Sequence, residues 1–202
     1  MDIVIFLIMR EKTIQIMIKD KKLHRVFIAV DFTADVVKEV ARVQKVLGGR
    51  RFTGKITELE NLHLTLKFLG EISSEMLENV KEKLGEIKIK EFEAKLEGIG
   101  SFSFRGRPRI VWIKIGGKGI FSLQKKVDEK LEEIGFKREE RFMSHMTIAR
   151  IKYVKDKKGF VEYVNGIGLK DIRFQINEFK LKESELRSLG PVYRDLEVYF
   201  SL

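Results

Sequence analysis

Two histidines stand in matching local settings in this chain. His63 and His145 each precede a threonine by two residues, in the segments LHLTL (62–66) and SHMTI (144–148). The 202 residues include only three histidines and six threonines, so a chance repeat of this spacing is rare. In a strand, side chains two residues apart project from one face. Each segment therefore offers an imidazole and the hydroxyl of Thr65 or Thr147 to one surface, while apolar neighbours anchor the opposite face.

Two imidazoles and two hydroxyls suit in-line displacement at phosphorus. One neutral histidine can take a proton from the attacking oxygen, and one protonated histidine can give a proton to the leaving oxygen. Hydroxyls can donate hydrogen bonds to the non-bridging oxygens as charge develops. Two alternatives remain: each histidine faces solvent from a half-buried strand, or the pair binds zinc with a carboxylate. Neither a His-x-His nor a His-x-x-x-His spacing occurs, and the third histidine, His24, has no matching threonine.

Hydrophobic periodicity places the elements that must position these groups. Helices are predicted over 34–47, from residue 73 or 74 to about 87, after Gly116-Gly117, and around 157–165. Strands are predicted over 25–31, 62–68 (ended by Gly70), 91–104, 109–115, 145–151, 172–181 and 192–200. The order of elements repeats, and no proline-rich linker divides the chain. The prediction is an α+β fold with two lobes, built on two antiparallel sheets related by a pseudo-twofold.

Composition narrows the class of protein. There is no cysteine, which excludes disulfides, thiolate metal sites and a cysteine nucleophile, and which fits a cytoplasmic protein. Abundant charge with only four Gln and four Asn is typical of a thermophile. The net charge of +10 favours a polyanionic partner such as nucleic acid over a merely basic soluble surface.

Residues 1–22 fall outside the repeated pattern. The run IVIFLIM (3–9) is too short to span a bilayer and lacks the basic flank and cleavage site of a signal peptide. We therefore predict an atypical N-terminal extension over 1–22 and a single bilobal domain over 23–202, with no membrane association.

The segments RVFIAVDF (25–32), HLTLKFLG (63–70) and SHMTIAR (144–150) resemble the 2H phosphoesterase superfamily. Within it, the chain resembles the RNA 2′,3′-cyclic phosphodiesterases, which are also called 2′-5′ RNA ligases. The stretch from Phe104 through Pro108 and Arg109 to Trp112 adds to the resemblance, which covers about 23–202. It implies a bilobal fold with the active site in the cleft between the lobes.

The resemblance also implies roles for particular residues. His63 would be the general acid for the departing 3′ oxygen and His145 the general base for water. Thr65 and Thr147 would bind phosphate oxygens, Arg150 would add positive charge on the phosphate, and Phe68 would contact the base or ribose. No metal and no cofactor is implied, and the product would carry a 2′-phosphate.

Strict alternation conflicts with two of these roles. Phe68 and Arg150 each follow their histidine by five residues, an odd offset that points them to the opposite face of a regular strand. Each strand must therefore twist, bulge or end before that point. The alternatives are core packing for Phe68 and a surface ion pair for Arg150.

Three functions are compatible with these residues. The first is hydrolysis of a 2′,3′-cyclic phosphate on an RNA end or a small cyclic nucleotide. The second is ATP-independent 2′-5′ ligation at the same site, with the two histidines exchanging roles. The third is a non-catalytic RNA-binding module, which would not need both imidazoles. A monomer is expected.

Overall fold

Nine strands of one antiparallel sheet and four helices build the computed structural model, which describes residues 22–48, 52–187 and 190–202. The IVIFLIM segment lies outside the described residues. The strands are β1 (Leu23–Val30), β2 (Thr53–Ile56), β3 (Leu64–Ser73), β4 (Phe92–Phe104), β5 (Arg107–Gly116), β6 (His145–Tyr153), β7 (Arg173–Ile176), β8 (Glu178–Arg187) and β9 (Gly190–Phe200). The helices are α1 (Ala34–Leu47), α2 (Ser74–Gly85), α3 (Lys118–Glu132) and α4 (Lys157–Asn165), with a 3₁₀ turn at Leu59–Asn61.

The strand order is β7-β4-β5-β6-β3-β1-β8-β9, with β2 paired to β6. The two histidine motifs meet at the centre, where Leu64 of β3 pairs with Met146 of β6. The expectation of two separate sheets is corrected here: two groups of strands are joined into one sheet through this single pair. The link exists because the apolar residue between His and Thr in each motif packs beside its counterpart.

One face of the sheet carries the hydrophobic core. Leu64, Leu66, Met146 and Ile148 are all at most 2% exposed, and they share one apolar cluster with the buried sides of the four helices. The residues that alternate with them project from the opposite face. The helices thus cover one side of the sheet and leave the other side to form a cleft.

The local predictions fit the elements closely. As predicted, helix α2 begins after Ser73, whose hydroxyl accepts a hydrogen bond from the Met76 amide at 3.2 Å.

The strands differ from the predictions in three places. Strand β3 does not end at Gly70, because Gly70 adopts a φ of 73° and lets the strand continue to Ser73. The predicted strand over 172–181 is two strands, β7 and β8, which lie in different halves of the sheet. Strand β2 was not predicted.

No helix within the described ranges is long and apolar enough to cross a membrane.

Candidate active site

Both histidine motifs open into one cleft of about 620 Å³ on the face of the sheet opposite the core. The antiparallel pairing of Leu64 with Met146 sets His63 towards Thr147 and Thr65 towards His145. All six predicted site residues line this cleft: His63, Thr65, Phe68, His145, Thr147 and Arg150. The tertiary structure therefore brings together two motifs that lie 82 residues apart in the sequence.

The two imidazoles are oriented in the same way. Nδ1 of His63 lies 2.8 Å from the carbonyl oxygen of Asn61, and Nδ1 of His145 lies 2.8 Å from that of Met143. A carbonyl oxygen only accepts hydrogen bonds, so each Nδ1 carries a proton and donates it. In the neutral form, each Nε2 is then unprotonated. The two rings are held by the main chain two residues upstream and keep Nε2 for proton transfer.

Matching β-bulges bring Phe68 and Arg150 to the cleft. Opposite β1, Thr65 pairs with Ala29 and Lys67 with Ile28, so Leu66 is an extra residue. In the second half, Thr147 pairs with Trp112 and Ala149 with Val111, so Ile148 is extra.

Each bulge falls three residues after its histidine and shifts the alternation by one. The residue five places after each histidine therefore returns to the histidine's own face. The requirement for a twist, bulge or end is met by a bulge in both strands.

The side chains at these two positions are free to meet a ligand. Phe68 is 71% exposed, with its ring 5.7 Å from that of Phe27, so core packing is not its role. Arg150 is exposed and forms no ion pair with any carboxylate of the described residues. It lies opposite Ile110 on one side and Lys55 on the other.

Aromatic rings flank both imidazoles. The ring of His63 lies 4.9 Å from Phe27 and 5.1 Å, edge-on, from Tyr193. The ring of His145 lies 5.1 Å, edge-on, from Phe102. These contacts restrict ring rotation and exclude water from one side of each imidazole.

Burial sets the protonation of His63. It lowers the pKa of His63 to about 4, and the positive charges of Lys182 and Arg150 add to the effect. The Asn61 carbonyl and Asp31 act in the opposite direction without reversing it. In the ligand-free protein, His63 is thus neutral at neutral pH.

Several cleft residues escaped the sequence analysis. Phe27 belongs to a predicted strand whose inner face was not assigned, and Tyr193 comes from β9, far away in sequence. Lys55 lies on the unpredicted strand β2, where it pairs with Glu58. The one signal in the sequence was the alternation of side chains along the predicted first strand, which places Phe27 on one of the two faces of that strand.

The third histidine lies outside the cleft. His24 is 7% exposed, and its Nδ1 lies 2.6 Å from a carboxylate oxygen of Glu183, while Nε2 lies 3.2 Å from the hydroxyl of Ser74. It ties β1 to β8 and α2. Across the residues described by the structure, no group of three or more His, Cys, Asp or Glu side chains is arranged to hold a metal ion.

Comparison with known proteins points to one family. The family model described as "LigT like Phosphoesterase" matches residues 30–112 and 116–193. A protein of Archaeoglobus fulgidus named RNA 2′,3′-cyclic phosphodiesterase is 36% identical over 177 residues, covering 87% of this chain and 99% of the relative. A protein of the same name from Methanocaldococcus jannaschii is 33% identical over 172 residues, covering 84% and 96%.

Solved structures give the same fold. A crystal structure of a protein from Thermus thermophilus superposes with a TM-score of 0.75 at 29% identity, covering 87% of this chain and 97% of that one. LigT of E. coli, crystallised with NADP+, superposes with a TM-score of 0.68 at 21% identity, covering 89% and 99%. With its paired His-x-Thr motifs facing one cleft, the chain belongs to the family of LigT-like phosphoesterases of the 2H superfamily.

Proposed function

We propose that this protein hydrolyses 2′,3′-cyclic phosphate ends of RNA to 2′-phosphomonoesters by acid–base catalysis with two histidines and no metal. The observation that carries the proposal is the pair of imidazoles on one cleft, each with Nδ1 donating to the main chain and Nε2 left for the substrate. The relatives named RNA 2′,3′-cyclic phosphodiesterase support the same substrate class.

The proposed reaction is a single in-line displacement. Nε2 of neutral His145 takes a proton from water as the water oxygen attacks phosphorus. The bond from phosphorus to the 3′ oxygen breaks, and Nε2 of protonated His63 gives its proton to that oxygen. The phosphate stays on the 2′ oxygen. Thr65 and Thr147 donate hydrogen bonds to the non-bridging oxygens.

The acid role of His63 depends on the substrate's own charge. With a pKa of about 4 in the free protein, His63 would be deprotonated when substrate arrives. A phosphodiester anion within hydrogen-bond reach of Nε2 favours the protonated imidazole and raises its pKa. Arg150 opposes this effect on His63 but stabilises the negative charge that builds up on the phosphate. The base of the terminal nucleotide lies against the exposed ring of Phe68.

Further proposals concern the architecture and setting of the protein. The two halves are related by a pseudo-twofold through the Leu64–Met146 pair, a relation supported by identical His-x-Thr spacing, identical Nδ1 bonds and identically placed bulges. The protein acts as a cytoplasmic monomer, in which residues 23–202 form the catalytic domain. Its substrate is an RNA with a 2′,3′-cyclic phosphate end or a small cyclic nucleotide.

The deciding experiment identifies the product. The protein is incubated in EDTA with RNA that ends in a 2′,3′-cyclic phosphate, and the phosphomonoester isomer is assigned by ³¹P NMR. We expect a 2′-phosphate. A 3′-phosphate would reverse the assignment of the leaving oxygen, and activity that disappears in EDTA and returns with zinc would exclude the two-histidine mechanism. Adding RNA with a free 5′-hydroxyl end tests ligation, which would appear as a longer product.

A further inference from the structure

The tip of the β4–β5 hairpin carries an aromatic and basic surface next to the cleft. We call Phe104, Arg105, Arg107 and Arg109 the hairpin strip. Phe104 is 62% exposed, and the guanidinium of Arg105 lies 5.3 Å from the centre of its ring. Arg105 has a φ of 49°, which the turn requires, so the two residues are presented at the end of the hairpin.

Strand register places Phe104 and Arg107 of the hairpin strip on the same face of the sheet as the active site. Ile110, which lines the cleft, lies opposite both Phe102 and Arg150, so these three side chains share a face. Phe104 follows Phe102 by two residues and pairs with Arg107, which extends that face to the hairpin tip.

Arg109 lies between Arg107 and Ile110, the two residues that β5 contributes to this face. Arg109 is the extra residue where Phe102 pairs with Ile110 and Ser103 pairs with Pro108. Phe102 connects this face to the active site, because its ring lies 5.1 Å from that of His145.

The charges of the hairpin strip are not neutralised within the protein. Most of the other described arginines are paired with carboxylates: Arg42, Arg138, Arg173, Arg187 and Arg194. None of the strip's three arginines has a carboxylate within ion-pair distance among the described residues, and Arg109 donates to the carbonyl oxygen of Lys152. In a chain rich in ion pairs, this surface retains net positive charge beside the phosphate site.

We infer that the hairpin strip binds the single-stranded RNA that precedes the cyclic phosphate end. This inference rests on the proposed function. Unpaired arginines attract the backbone phosphates, and an exposed ring with an arginine above it offers a stacking platform for a base. The terminal nucleotide occupies the cleft, and the preceding nucleotides follow the face from Ile110 to Phe104.

The test compares RNA binding by strip variants with matched controls. Fluorescence anisotropy measures binding of a single-stranded RNA of about eight nucleotides, within the size range of single-strand sites. Phe104→Ala should weaken binding about 5- to 100-fold, as expected for loss of a stacked base. Arg107→Ala should weaken binding and reduce the salt slope of log K by about 0.7, the value for one contact with a single-stranded phosphate.

Two controls remove the same groups elsewhere. Phe200→Ala removes a ring that is 65% exposed, and Arg173→Ala removes an arginine that is paired with Glu93 on β4. Both should bind RNA as the wild type does. If Phe104→Ala and Arg107→Ala also bind like the wild type, the inference is overturned.

Kinetics separate this inference from the proposed function. The wild type should hydrolyse both a cyclic mononucleotide and the cyclic-ended octamer, with a lower KM for the octamer. Strip variants should lose most of that KM advantage. Equal KM values for the two substrates in the wild type would overturn the inference while leaving the hydrolysis intact. A wild type that binds RNA through the strip yet hydrolyses neither substrate would overturn only the proposed function.

Discussion

Gln44 of α1 donates a hydrogen bond to the carbonyl oxygen of Ile148, the extra residue of the β6 bulge, at 3.0 Å within the core. The same amide donates to the carbonyl of Thr57 at 2.7 Å, and the Thr57 amide also bonds to Ile148. A helix side chain thus holds the bulge that turns Arg150 into the cleft. The bulge of β3 has a different support, since Lys67 next to it reaches Asp128 of α3.

Gln44→Met should lower both stability and activity. Loss of the two hydrogen bonds leaves buried carbonyl oxygens less satisfied, which should cost about 1–3 kcal/mol of unfolding free energy by urea titration. Loosening of the bulge should lower kcat/KM as well. Val43→Ala, which removes only apolar contacts from the same helix, should cost stability without lowering kcat/KM at a temperature where both variants are folded. If kcat/KM falls equally in Val43→Ala, Gln44 has no positioning role.

His63→Ala and His145→Ala should each reduce the hydrolysis rate about 10²- to 10⁴-fold, the range for lost general acid or base catalysis. His24→Gln is the matched control, because His24 is buried against Glu183 outside the cleft. It should lower the melting temperature and leave kcat within a few-fold. Single-turnover kinetics on a cyclic mononucleotide measure the chemical step. A loss confined to one of the two cleft histidines would contradict the shared mechanism.

The pKa of His63 should lie near 4 in the free protein and rise when phosphate binds. The unfolded value is near 6.5, so the folded state resists protonation, and stability is fully present above pH 6.5 and lost as pH falls towards 4. The loss should be on the order of 3 kcal/mol and should be absent from His63→Gln. NMR titration of the imidazole protons, with and without inorganic phosphate, gives both pKa values. A phosphate-bound pKa that stays near 4 would rule out His63 as the general acid.

Arg150→Lys should lower kcat/KM substantially while leaving the melting temperature nearly unchanged. The side chain is exposed and has no carboxylate partner among the described residues, so folding does not depend on it. A lysine offers a mobile point charge in place of the planar guanidinium. Arg150→Ala should also weaken binding of a 2′-phosphate product, measured by calorimetry. Arg138→Lys, in an exposed pair with Glu132, controls for the loss of a guanidinium. Unchanged kinetics in Arg150→Ala would shift the phosphate contact to another residue.

Removal of residues 1–22 should leave catalysis intact. The segment carries no histidine and lies outside the repeated pattern of motifs. Solubility and melting temperature should be followed in parallel, because the apolar run IVIFLIM (3–9) contributes to either if it packs on the domain. A truncated protein that folds normally but does not hydrolyse a cyclic phosphate would contradict the domain assignment.

The sequence by itself indicated the candidate catalytic pair and most of the local elements. The repeat of His-x-Thr is a pattern between neighbouring residues, and the helices follow from apolar spacing and turn residues, so both are visible without tertiary information. All four helices were predicted from this spacing, and α1 and α4 match their predicted limits. The resemblance of HLTLKFLG and SHMTIAR supplied proposed roles for these residues, which periodicity could not.

Only the tertiary structure decided how these groups meet. Whether Arg150 points inward depends on one extra residue at Ile148, whose carbonyl oxygen accepts a hydrogen bond from Gln44, more than 100 residues away. Strand register also decides three other features. It joins the two halves at Leu64 and Met146, it brings Tyr193 beside His63, and it sets Phe102 and Phe104 on one face. Register is fixed by contacts between distant segments, which local periodicity does not contain.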